Sequence, residues 1–191
     1  MPAALTILAP WAPLYILWGA WAVTWLLAGL KAAPATRRPK SASENLAVIL
    51  VYVGFGLLFV PVPGPALWTL SGWVSWGLTG LTVAAMGFCW WARLHLGALW
   101  SFRTTAKEGH HVVDTGPYAL VRHPIYAGLL AGTCATAMML GHLSNLLGVI
   151  VLAAAFWLKA AVEETFLSET LGADAYAAYA RRVRRLIPYV L

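Results

Sequence analysis

Gly116-Pro-Tyr-Ala-Leu-Val-Arg-His-Pro-Ile-Tyr-Ala-Gly128 stands where a polar segment gives way to a long apolar run. One apolar excursion later the chain returns to a second polar point, Glu163-Glu164. An arginine, a histidine and two carboxylates at the ends of hydrocarbon-length segments are costly to place there and mark functional sites.

The surrounding composition defines the solvent. Of 191 residues, 61% are hydrophobic and only 10% charged, with a mean hydropathy of +0.73. A water-soluble domain carries about a quarter charged residues, so this composition describes an integral membrane protein. Apolar runs cover 8–30, 46–60, 66–92, 124–140 and 143–162. Roughly 20 apolar residues cross a bilayer core. The expectation is an all-α polytopic membrane protein with five transmembrane helices and a cytoplasmic amphipathic C-terminal helix. It forms a single domain, with three spans in 1–92 and the site in 93–191. Pro61-Val-Pro-Gly-Pro65 cannot continue a helix, and Gly141-His-Leu-Ser-Asn145 is a softer turn of the same kind. The first run lacks a basic residue before it and is too long for a signal peptide, so it reads as an anchor. Cys89 and Cys134 lie apart inside apolar runs and read as packing residues.

Charge sets the orientation. The 13 Lys and Arg fall at 31–40, at 93–122 and from Lys159 onward, three segments that five spans place on one face. The opposite face carries no charged residue in 61–65 or 141–145. The positive-inside rule then puts the charged face in the cytoplasm and the N-terminus outside; with no organelle signal, a prokaryotic plasma membrane is expected. The net charge of +6 is mainly this topological signal, and no nucleic-acid partner is expected.

With about 20 residues in each arm, rising 1.5 Å per residue, two antiparallel helices return Arg122-His123 and Glu163-Glu164 to one depth. Gly128, Ala131, Gly132 and Ala135 form a small-residue face that permits close helix approach, and Pro124 suits a first helical turn. A structural Arg–Glu pair would lock such a hairpin. Two carboxylates, an imidazole and a guanidinium together exceed that need. They suit an amino-acid zwitterion, such as the methionine part of S-adenosylmethionine, whose methyl transfer requires alignment and exclusion of water. Spacing alone leaves another polar cofactor open.

His111-Val-Val-Asp-Thr-Gly116-Pro-Tyr118 followed by Val121-Arg-His-Pro-Ile-Tyr126-Ala-Gly128 resembles the signature of the isoprenylcysteine carboxyl methyltransferase and phospholipid N-methyltransferase superfamily. Glu163-Glu164, Leu167, Gly172, Tyr176-Ala-Ala-Tyr179, Val183 and Ile187-Pro188 resemble its tail. The likeness covers about 93–190. It implies a membrane methyltransferase using S-adenosylmethionine from the cytoplasmic side, with a lipid or prenyl-type amphiphilic acceptor entering from the bilayer. Carried over by position, His111, Val113, Gly116, Tyr118, Arg122, His123, Tyr126, Glu163 and Glu164 bind the cofactor. Arg122 and His123 would take the methionyl carboxylate, and one glutamate the ammonium.

The acceptor atom, oxygen, nitrogen or sulfur, stays open. A carboxylate needs an orienting cation, for which Arg93, Arg103 and Lys107 are candidates, Arg93 nearest the membrane. An amine needs a base, the spare glutamate or Asp114. The catalytic assignment is therefore Arg93, Glu163 and Glu164. His110-His111 with Asp114 lacks a clear fourth ligand, and no metal is expected. Tyr176, Tyr179, Leu171, Val183 and Leu186 share one helical side, as in an interfacial amphipathic segment, or close over the cofactor. Arg181, Arg182, Arg184 and Arg185 read as headgroup contacts, and His95 and His142 as interfacial. Trp90, Trp91 and Trp100 suit an aromatic belt or the wall of an acceptor pocket. A sterol-type NADPH-dependent reductase and a non-catalytic scaffold are the competing readings.

Overall fold

The second apolar run is too short to cross a membrane by itself, and a cap lengthens it. In the computed structural model, which describes residues 11–39, 41–60, 64–109 and 111–188, the Ser41 side chain accepts the Glu44 amide at 3.3 Å and starts helix α2 at Ala42. That gives α2, Ala42–Phe59, 18 residues. The other long helices are α1, Trp11–Gly29; α3, Gly72–Leu96; α4, Pro124–Leu140; and α5, Leu143–Leu171. A short helix, α6, covers Ala173–Arg182.

Three helices are long and apolar enough to cross a membrane: α1 over Ala12–Gly29, α2 and α5. At 17 residues α4 is a shorter apolar helix. α3 is longer but more polar, burying Ser75, Thr79, Thr82 and Arg93. Two boundaries differ from the hydropathy reading. Residues 64–71 precede α3 rather than belonging to it, and α5 continues as helix to Leu171, nine residues past the end of its apolar run at 162. Glu163 and Glu164 therefore project from an unbroken helix rather than from a loop. Of the proline turn, residues 61–63 lie outside the described residues, as do Lys40 and His110.

With lipid tails as apolar as leucine, close helix contact depends on small residues. α2 and α5 run antiparallel. A Cβ on Gly148 would sit 2.8 Å from both the Gly54 carbonyl oxygen and the Leu58 nitrogen. α3 meets α4 in the same way, since a Cβ on Gly128 would lie 2.6 Å from Cys89 Sγ. The small-residue face of α4 is thus spent on α3 and on Trp18 of α1, which faces Gly132, and not on the α4–α5 hairpin. The loose member is α1, tied to α4 by the Trp18 indole, which donates to Thr136 at 3.0 Å.

The far end of the bundle is fastened by polar contacts. Gly141, at φ +73°, ends α4 against the Trp68 carbonyl, where a Cβ would approach to 2.8 Å. The Asn145 amide donates to the Leu58 carbonyl at 2.7 Å, joining the α4–α5 turn to α2. The opposite end is left to converge on the polar motifs.

Gly148→Ala should destabilise the protein by about 1–3 kcal/mol through overpacking. Gly77→Ala, whose Cβ meets nothing within 4 Å, should be neutral. Thermal unfolding in detergent micelles checks both.

Candidate functional site

The segment before α4 is shaped by a glycine that nothing else can replace. Gly116 has φ +57°, and a Cβ there would lie 2.8 Å from the His95 ring. His95 in turn bonds Thr115 Oγ1 at 2.8 Å. A short 3₁₀ turn, Gly116–Ala119, then buries Tyr118. Past it the chain is extended, and residues 121–123 pair with the tail. The Arg122 amide donates to the Arg184 carbonyl at 2.7 Å and the His123 amide to the Arg185 carbonyl at 3.0 Å. The Arg122 guanidinium also donates to the Ala180 and Val183 carbonyls, at 3.0 and 2.6 Å. The tail is therefore stitched to the start of α4 by backbone and side chain alike.

The four motif residues meet, with an unequal division of labour between the glutamates. Glu164 is saturated. Its Oε1 accepts from Arg122 Nε at 2.9 Å, His123 Nε2 at 3.0 Å and Arg185 Nε at 3.1 Å, and its Oε2 from Arg185 Nη2 at 2.5 Å. Glu163 is half-engaged. Its Oε2 accepts from the Tyr126 hydroxyl at 2.8 Å and lies 3.5 Å from His123 Nδ1, while its Oε1 has no hydrogen bond among the described residues. The imidazole thus bridges the two carboxylates. Burial alone would push its pKa down, but the hydrogen bonds and charges of Glu163 and Glu164 outweigh burial and hold it above 6.5.

Beside this cluster lies a cavity of about 110 Å³. Of the expected cofactor residues, His111, Val113, Tyr118, Arg122, His123, Tyr126 and Glu163 line it. Gly116 and Glu164 do not; the first supports the turn against His95 and the second is enclosed by its cations. Arg93 is displaced furthest from expectation. It is 5% exposed and sits among indoles, its Cζ 3.4 Å from the Trp100 ring centroid and 4.4 Å from that of Trp25. That box turns it away from the cavity, so it touches no reacting group there. Arg103 donates to the Asn45 side chain at 2.9 Å, and Lys107 to the Ala98 carbonyl at 2.6 Å.

Several wall residues come from segments whose roles were open or unassigned. Tyr176, Tyr179 and Val183 bury themselves against Val112 and Leu167, so the apolar face of α6 covers the cavity instead of facing lipid. The Tyr179 hydroxyl donates to the Tyr118 carbonyl at 2.8 Å, and burial raises both phenols. Arg182 pairs with Asp114 at 2.9 Å and Arg185 with Glu164, so two of the four tail arginines are engaged within the protein. Trp100, Ser101, Thr104 and Thr105 form the remaining wall. Trp100 therefore belongs to the pocket, whereas Trp91 is 48% exposed. The readable signal for the 100–105 wall is its run of hydroxyls directly after an aromatic belt.

Residues 78–169, which contain the glutamate pair and the start of α4, match the isoprenylcysteine carboxyl methyltransferase family. The cobalt-zinc-cadmium resistance protein CzcN of Cupriavidus metallidurans is 28% identical over 143 residues, 74% of this chain and 61% of that protein. The protein-S-isoprenylcysteine O-methyltransferase of Schizosaccharomyces pombe is 38% identical over 85 residues, 44% of this chain and 36% of that enzyme. Protein-S-isoprenylcysteine O-methyltransferase B of Arabidopsis thaliana is 33% identical over 88 residues, 44% and 43% of the two chains. These matches place the chain in the isoprenylcysteine methyltransferase-like superfamily of membrane methyltransferases. Its matched stretch spans between 36% and 61% of the length of these relatives.

Glu164→Gln should cost about 3–5 kcal/mol, because three cations lose their shared partner, and should expose the tail to cleavage at Arg184 in limited proteolysis. The raised His123 pKa fixes a sign as well. Its protonated form stabilises fully below about 6.5, and that contribution is lost as pH rises through the raised value. Melting temperature should therefore fall on the alkaline side, and His123→Asn should flatten the fall.

Proposed function

We propose that this protein transfers the methyl group of S-adenosylmethionine to an amphiphilic acceptor of the isoprenylcysteine carboxylate type, at the cytoplasmic face of a membrane. The supporting topology is five spans with the N-terminus outside, α3 and α4 completing the set begun by the three apolar helices. The observation that carries the reading is Glu163. It is a carboxylate at the cavity wall with one oxygen fixed by Tyr126 and the other left without a hydrogen bond.

The residues present suit the cofactor. Glu163 Oε1 would hold the ammonium. Arg122 would hold the methionyl carboxylate, with the part of its guanidinium not spent on Glu164 and the tail carbonyls. His123 is recast by its geometry. With a carboxylate against each ring nitrogen it has no free donor for an anion, and it acts by orienting Glu163. Tyr118, Tyr176 and Tyr179 offer flat faces for a base, with Val112, Val113 and Leu167 around them. When bound, S-adenosylmethionine supplies an electrophilic methyl beside a neutral leaving group.

Alignment is then the main task left to the protein, worth on the order of 7–11 kcal/mol when complete. The tail performs part of it. α6 covers the cavity and shields it from water, and the Glu164 cluster keeps α6 in place. A carboxylate acceptor carries no proton to remove, so this chemistry needs no general base. The similarity to enzymes named for isoprenylcysteine O-methylation supports such an acceptor.

Calorimetric titration with S-adenosylhomocysteine should show saturable binding that Glu163→Gln abolishes without unfolding the protein. NADPH should neither bind nor raise the melting temperature. Stabilisation by NADPH and indifference to the adenosyl compound would replace the methyltransferase reading with a reductase.

A further inference from the structure

A buried lysine in an apolar helix is the most conspicuous group left without a task. Lys159 lies on α5, one turn deeper into the bundle than Glu163, and is 4% exposed. Its Nζ is buried with no hydrogen-bond partner, and its nearest aromatic neighbour is Phe102, whose ring centroid is 5.6 Å away. A desolvated ammonium without a partner is a large penalty.

The loop that covers Lys159 repeats the pattern. Thr104, two residues beyond Phe102, is 2% exposed and its hydroxyl also has no partner. Thr104 lines the cavity beside Glu163. Its backbone is held from behind, where its amide donates to the buried Glu44 carboxylate at 2.7 Å. Glu44 faces Lys159 across the α2–α5 seam, because Gly54 meets Leu152 and Gly148 on that register. The two nevertheless form no ion pair among the described residues. An ammonium and a hydroxyl, both desolvated and both unmatched, thus stand at the inner end of the cavity.

The other buried cations are accounted for. Arg93 has three indole faces around its charge. Lys107 has two carbonyls, and burial followed by the nearby Arg93 charge lowers its pKa. Arg122 and Arg185 share Glu164.

We propose that Lys159 Nζ and Thr104 Oγ1 form the subsite for the anionic head of the methyl acceptor, a carboxylate carried on an apolar tail. The inference rests on the methyltransferase reading and deepens it by naming the residues that select the acceptor. Lys159 supplies the charge and Thr104 a directional donor. Glu44 fixes the loop that presents Thr104. Lys159 is therefore a specificity residue for the acceptor and contributes nothing to holding the cofactor.

The test uses the full chain in detergent, saturated with S-adenosylhomocysteine, and two probes: N-acetyl-S-farnesylcysteine and its carboxamide. The wild type should bind the acid about tenfold more tightly than the amide, as a charge-assisted hydrogen bond requires. Lys159→Met should erase that preference while leaving S-adenosylhomocysteine affinity and melting temperature undiminished, since it removes an unmatched buried charge. Lys159→Arg should retain the preference and Thr104→Val should weaken it. A wild type that takes up S-adenosylhomocysteine but ignores the difference between acid and amide overturns the subsite, as does a preference that survives Lys159→Met. A Lys159→Met protein that melts lower, or binds the adenosyl compound less well, makes Lys159 structural instead. Failure of the wild type to bind S-adenosylhomocysteine at all removes the underlying reading, a result distinct from the others.

Discussion

A single carboxylate, that of Glu164, ties together α5, the start of α4 and the C-terminal tail. It accepts from two arginines and one histidine while its side chain is 12% exposed. Surface ion pairs contribute little, but one enclosed charge shared by three donors cannot lose any of them cheaply. Arg122 comes from the segment before α4, Arg185 from the tail and His123 from the cap of α4, so the contact closes a loop of the chain. α6 follows, since the tail strand that pairs with residues 121–123 is continuous with it. The cavity exists because α6 is held at a distance from α4 and α5 by this cluster.

Adjacent glutamates on one helix point about 100° apart, a consequence of 3.6 residues per turn. That divergence lets one of them serve the fold and the other the ligand. Glu164 is turned toward the arginines and Glu163 toward the cavity, with His123 touching both and keeping their positions coupled. A ligand drawn to Glu163 is therefore bound to a carboxylate whose orientation depends on the closed tail. Cofactor binding and tail docking are linked by the same imidazole.

The meeting of Arg122-His123 with Glu163-Glu164 was legible in the sequence because it follows from two antiparallel arms of equal length. The all-helical architecture was legible from hydropathy, although three helices meet the length and apolarity of a span. What the pattern could not specify was partner choice. Gly128 and Gly132 advertise a close approach without saying to which helix, and α3 occupies them. Arg93 looks like a site residue from its place at the end of a span, but three tryptophans distant in sequence enclose it. Likewise, the tail arginines read as a uniform headgroup patch until the 121–123 pairing selects Arg185 for Glu164. Lys159 carried a readable signal, a lone charge inside an apolar run. Counting it among the cytoplasmic flanks hid it, because α5 remains helical past it to Leu171.

An experimental structure of the protein with S-adenosylhomocysteine tests the central claim most directly. The account predicts the ligand's amino group on Glu163, with Glu164 still bound to Arg122, His123 and Arg185 and α6 closed over the nucleoside. A ligand ammonium on Glu164, with Arg185 released and the tail undocked, would contradict it.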